Sequence, residues 1–245
     1  MVFIHSPAWL AKAALGAACL TVGVHNLNAQ ADPIAKPLAQ ESRILGILPN
    51  HRTVPSSMWD VPPMSSSEKW RLGTAESFDP FTFLVAGALA GVGQADRTFP
   101  SWGQGSKGFS KRYGAALADQ ISRDYFTEAI FPVLLHEDPR YFRMEHGSFL
   151  RRMGYALGRI AVTRTDAGSS RLNYSEFLGS AAAAGLANVY IPSDDRTVGN
   201  TVEKFGTQVA TDALLNVLKE FWPDVKSKLF HGSGAAGPQS ANLAR

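Results

Sequence analysis

Small residues recur every fourth position through each stretch of this chain that can form a helix, and that spacing limits the folds open to it. Gly87 and Gly91, Gly114 and Ala118, Gly154 and Gly158, Gly179 and Ala183, and Gly206 and Ala210 each lie about one helical turn apart. Glycine inside a helix costs about 1 kcal/mol relative to alanine. Repeating that cost is reasonable where helix backbones must approach closely, the small-xxx-small mode of packing. No segment alternates apolar and polar residues over a strand length. The expected fold is therefore mostly α: a compact bundle of about five main helices with small-xxx-small packing, preceded by a disordered linker.

Local signals place those helices. Asp79-Pro80 combines a capping carboxylate with a proline preset for the first helical position, opening a helix over 81–94. A longer helix is expected over 109–131, up to Pro132, and Asp138-Pro139 offers the same start signal again for a short turn through Arg143. Further helices are expected over 148–162, over 173–190 behind the capping-box spacing of Asn173 and Glu176, and over 197–222 before Pro223. The longest apolar runs, 81–93 and 177–191, fall short of the ~20 residues of a membrane span.

The first thirty-one residues read as a secretory signal peptide. Residues 13–24 have the length of an h-region, and Ala29-Gln30-Ala31 offers small residues for cleavage before Asp32. Cys19, the one cysteine, lies in that leader, in a setting unlike a lipoprotein cleavage site, so no disulfide framework is expected. Residues 32–76, with six prolines and Ser65-Ser66-Ser67, read as a Pro/Ser-rich linker whose Trp59 and Trp70 could dock onto the domain. An α-helical domain is expected over 77–230 and a flexible tail over 231–245. The net charge of +3 is too small for a nucleic-acid surface. A membrane surface or another envelope protein is the expected partner.

Chemistry concentrates in His136-Glu137-Asp138-Pro139-Arg140-Tyr141-Phe142-Arg143. His136, Asp138 and Glu128 are the candidate acid–base groups, and Arg140 and Arg143 the candidate anion binders. The alternative is structural, with Asp138 capping a turn and the arginines pairing to carboxylates. Charges within apolar runs (Asp119, Glu128, Arg159, Glu176, Asp212), together with Gln208 and Asn216, suggest an interior ionic network, since buried charge must be paired. No zincin or EF-hand spacing occurs, Gln104 breaks the G-x-S-x-G pattern, and the same loop lacks a P-loop ending. Arg140 and His146 match the R-x5-H spacing of lipid phosphatases, but Leu150 stands where that motif needs aspartate. No cofactor and no metal site is expected.

The segments FPVLLHEDPRYFR (131–143), RTDAGSSRLNYSEFLG (164–179) and LKEFWPD (218–224) resemble an uncharacterised group of secreted bacterial proteins over roughly 78–225. That resemblance implies an envelope setting and supplies no catalytic residues. The sequence thus points to an exported cell-envelope protein of structural, interaction or membrane-associated role. The alternative is a small envelope hydrolase acting on a lipid or phosphate-bearing substrate through the His136/Asp138/Arg140 region.

Overall fold

The computed structural model describes residues 43–231, so the leader, the first part of the linker and the tail beyond 231 lie outside the described residues. The chain is mostly helical. In order come α1 (Ser66–Ser77), α2 (Pro80–Ala95) and α3 (Gly105–Asp124), then a π-helical turn (Tyr125–Ile130) that runs into α4 (Phe131–Leu135). They are followed by α5 (Phe149–Gly158), α6 (Tyr174–Ala187) and α7 (Val198–His231). Short strands stitch the helices together: β1 (Arg43–Ile44), β2 (Leu48–Pro49), β3 (Thr53–Val54), β4 (Glu137–Asp138), β5 (Tyr141–Phe142), β6 (Val162–Thr165) and β7 (Ser170–Leu172). β1 and β2 form a hairpin, β3 pairs in parallel with β5, and β4, β6 and β7 form a small antiparallel sheet.

The linker drawn to residue 76 is corrected from residue 43 onward, where the chain is folded. Ile44 and Leu48 are buried against Trp222 of α7, with Phe81, Leu215 and Leu218 packed around them. Val54 is fully buried in β3. Ser65, part of the serine run, caps α1: its hydroxyl accepts from the Glu68 amide while the Glu68 carboxylate accepts from the Ser65 amide. Two buried apolar anchors and a capping box thus order a segment whose prolines suggest extension. Trp59 donates to the Arg143 carbonyl at 2.9 Å and Trp70 lies 5.9 Å from the Tyr125 ring, so both tryptophans dock.

The two Asp-Pro signals part company. Asp79 caps α2, accepting from the Phe81 amide at 2.8 Å. Burial works against its charge, but hydrogen bonds from His51 and Arg43 bring its pKa down to about 2. Asp138, by contrast, opens no helical turn. It sits in β4, and Tyr141 and Phe142, both strand formers, pair with β3 instead.

Pro223 does not end α7, which runs through it to His231. Proline removes the amide that would reach the Lys219 carbonyl four residues back. Arg143 donates its Nε to that carbonyl at 2.9 Å, replacing the lost bond. The glycine spacing meets two fates. At Gly179 a Cβ would stand 2.7 Å from Thr127 Cγ2 and 3.0 Å from its amide, so α6 lies directly against the π-helical turn. At Gly91, Gly114, Gly154, Gly158 and Gly206 a Cβ would meet nothing within 4 Å.

Candidate functional site

The residues singled out in the HEDPRYFR segment do not converge. His136 closes α4 in a left-handed conformation, with φ of 56°. Its side chain is 83% exposed, and Nδ1 stands 4.0 Å from Asp166. Asp138 is buried and held by Arg140, which donates to it from its backbone amide (3.0 Å), Nε (2.9 Å) and Nη2 (2.5 Å). Arg140 also reaches the Pro62 carbonyl at 2.8 Å. Arg143 is spent on the Lys219 carbonyl and on Glu145 at 3.2 Å. Glu128 lies elsewhere, on the π-helical turn, 2.8 Å from Arg52.

What fixes this segment is Glu220 of α7, which is fully buried. Its carboxylate accepts from the Tyr141 hydroxyl, the Met144 and Glu145 amides, and Arg152 Nε, each at 2.9 Å. Four donors on one carboxylate leave no lone pair for a substrate. Arg152 continues outward to Asp224 at 2.5 Å and stacks over Phe221. The HEDPRYFR segment and the KEFWPD stretch of α7 therefore form one structural clamp.

A second cluster occupies the centre of the bundle. Arg123 grips Asp212 with Nη1 and Asp124 with Nη2, the latter at 2.9 Å, while Arg52 lies between Glu128 and Glu76, with Nε 4.0 Å from Glu76. Lys219 is buried beside them. Burial pushes Asp124 up to about 7 and Glu176 up to about 8, and it drives Glu128 well above the usual carboxylate range. Burial, helped by Arg52, brings Lys219 down to about 8. Asp212 is also buried, yet Arg123 holds it below its ordinary value. Five carboxylates face three cations, and burial of that excess of acidic groups is what raises Asp124, Glu128 and Glu176. Among the described residues, no group of three or more His, Cys, Asp or Glu could hold a metal ion.

On the far side of the Arg123–Asp212 pair lies a cavity of about 770 Å³ between α2, α3, α6 and α7. Leu84, Val85, Leu89 and Val92 of α2 form one wall and Ala115, Ala116, Ala184 and Ala187 the floor. The facing side of α7 is polar, with Thr201, Lys204, Thr207, Gln208 and Thr211 at helical spacing. α2 contains no charged residue and packs chiefly along α3, so Leu84 and Leu89 remain exposed. Gln208 Oε1 is buried here with no hydrogen-bond partner among the described residues. Lys204 is tied to Asp119 at 2.7 Å, and Tyr190 donates to the same carboxylate at 2.5 Å.

No family model, no curated protein and no solved structure matches this chain. The site must be read from its own geometry.

Of the expected interior charges, Asp119, Glu128 and Asp212 have ion-pair partners, and Glu176 accepts from Ser180 at 3.1 Å. Asn173 accepts from the Glu176 amide at 3.1 Å, half of a capping box; the Glu176 side chain turns inward instead of back to the cap. The sequence reading missed Arg52, Glu76, Lys219 and Glu220. Arg52 and Glu76 fall in or beside the proline-rich stretch, where burial leaves no local signature. Lys219-Glu220 had one usable signal, a charged pair close to Trp222 within a helical segment. The groove was visible only as the charge-free run of α2.

Proposed function

We propose that this is a non-catalytic binding protein of the bacterial cell envelope that takes the apolar chain of an amphiphile, such as a fatty acyl chain, into the α2–α3–α6–α7 groove. The observation that carries this reading is the cavity of about 770 Å³ with an uncharged α2 wall facing a polar α7 wall. Small-molecule sites are typically 300–1,000 Å³, mostly apolar, with a few placed polar groups. The unanswered Gln208 Oε1 offers such a group. An exported setting rests on the leader-like residues 1–31 and on the resemblance to secreted bacterial proteins. Among the described residues no helix is long and apolar enough to cross a membrane. Association with a membrane surface would bring the groove to its ligand.

The hydrolase alternative through His136, Asp138 and Arg140 finds no support in this geometry. His136 points to solvent, and the Asp138 carboxylate is occupied by Arg140. The test is titration of a fluorescent fatty acid into the purified protein and into Gly91→Leu. Gly91 lines the groove and a Cβ there meets nothing within 4 Å, so leucine adds apolar bulk to the groove wall with no clash at its Cβ. Saturable binding by the wild type, weakened roughly tenfold or more in the variant, is expected. Equal binding by both proteins would remove the groove from the account.

A further inference from the structure

Beneath the sheet of β4, β6 and β7 is a separate polar cleft of about 50 Å³. Its lining brings together donors that the fold leaves without partners. Ser175, on the first turn of α6, is 3% exposed and its Oγ makes no hydrogen bond with a described residue; the same holds for Arg52 Nε. Arg159, half-buried at the mouth, meets the Tyr155 ring at 6.0 Å and has no ion pair with a described residue. Burial holds its pKa below the ordinary arginine value. Asn216 of α7 also lines the cleft.

The carboxylates that border the cleft are already answered. Asp138 belongs to Arg140, and Asp212 to Arg123. Glu137 accepts from Arg171 and from the Ser175 amide, each at 2.8 Å. Glu176 borders the cleft too; burial raises its pKa to about 8, and it accepts from the Ser180 hydroxyl at 3.1 Å. What remains is the Arg159 guanidinium, the Nε of an Arg52 whose charge is already shared with Glu128 and Glu76, and the Ser175 hydroxyl, around an unfilled polar space. Buried donors left unpaired cost about 1–3 kcal/mol each, so a partner is required. A single water needs roughly 10–15 Å³ of such space, so the cleft exceeds one water and suits a compact polyatomic anion.

We propose that this cleft is a binding site for a phosphate-sized oxyanion, received by Arg159 at the mouth and by Arg52 Nε, Ser175 Oγ and Asn216 within. Guanidinium groups match such oxygens in charge and in the geometry of their donor fork. The site is independent of the groove, since the Arg123–Asp212 pair stands between them. The ion is either free or the phosphate end of a monoester.

The test is calorimetric titration of the protein with inorganic phosphate and, in a second arm, with glycerol 3-phosphate. Sodium chloride at matched ionic strength is the control. Saturable heat, with a rise in melting temperature that chloride does not reproduce, is expected. Arg159→Gln should weaken binding at least roughly tenfold and Ser175→Ala by roughly threefold. Arg159 carries no ion pair among the described residues, so its variant should fold; if it does not, Ser175→Ala decides alone. Tighter binding of the monoester marks the ligand as a phosphate end group, and tighter binding of phosphate marks it as the free ion. Absence of heat up to about 10 mM, an equal effect of chloride, or unchanged binding in a folded variant would overturn the proposal.

Discussion

The two ends of α7 pose opposite problems. Around Glu220 every strong polar group has been given a partner, and the segment that looked most like chemistry is held rigid. Around Thr201 to Thr211 the same helix faces an open cavity, with Leu84 and Leu89 opposite left exposed among the described residues. A carboxylate with four donors is a structural fixture. The exposed apolar wall beside the unanswered Gln208 Oε1 is the feature on which the proposed ligand site rests. Density of charged residues in a sequence is therefore a poor guide to function here, because the charges are consumed in holding α5, β5 and α7 together.

The contrast breaks first at Glu220. Replacing it with alanine leaves Arg152 buried without its main partner and strips three further donors, a loss expected to reach about 3–5 kcal/mol. Urea unfolding would measure it, and a change below about 1 kcal/mol would show that the clamp is ornamental. Arg143→Ala comes next, at about 1–3 kcal/mol, since the Lys219 carbonyl is left bare beside Pro223. Pro223→Ala restores an amide for that carbonyl, so the double variant should lose less than the sum of the singles. Strict additivity would contradict the proposed exchange of one bond for the other.

The protonated carboxylates give a pH signature. Asp124 and Glu176 have folded values near 7 and 8, above their ordinary values of 3.8 and 4.5. Their contribution is fully present below the ordinary values and is lost as pH rises through about 7 to 8. Lys219 has the opposite sign: lowered to about 8, it adds stability as pH climbs from there toward its ordinary 10.5. Melting temperature should fall between pH 5 and 8, and above pH 8 Lys219 should win back part of that loss. A rise across that interval would contradict the buried cluster. Smallest of all, His136→Ala should shift stability by no more than about 0.5 kcal/mol, because the side chain is largely exposed.

Much of the helical layout was legible. Asp79-Pro80, the Asn173 cap and the apolar runs place α2, α6 and most of α3 and α7, because capping and periodicity are local properties. Pairings across the chain were not. Arg43 to Asp79, Arg52 to Glu128 and Tyr141 to Glu220 depend on which segments meet, and no spacing in one segment encodes its distant partner. The Ser65-x-x-Glu68 box was readable, yet six prolines around it suggested extension, and proline density outweighed a correct cap. Pro223 misled in the same way: a helix breaker by local chemistry, it is accommodated because Arg143 arrives from 80 residues upstream in the sequence order, at position 143. Among the candidate residues, local sequence showed that Glu128, Asp138, Arg140 and Arg143 are charged but not that distant or neighbouring partners consume them.

The central claim is that the groove binds and the HEDPRYFR segment supports. Titrating one fluorescent fatty acid into wild type, Gly91→Leu and His136→Ala tests both halves at once. Binding should be saturable in the wild type, unchanged in His136→Ala, and weakened roughly tenfold or more in Gly91→Leu. Loss of binding in His136→Ala with full binding in Gly91→Leu would reverse the assignment of the two regions.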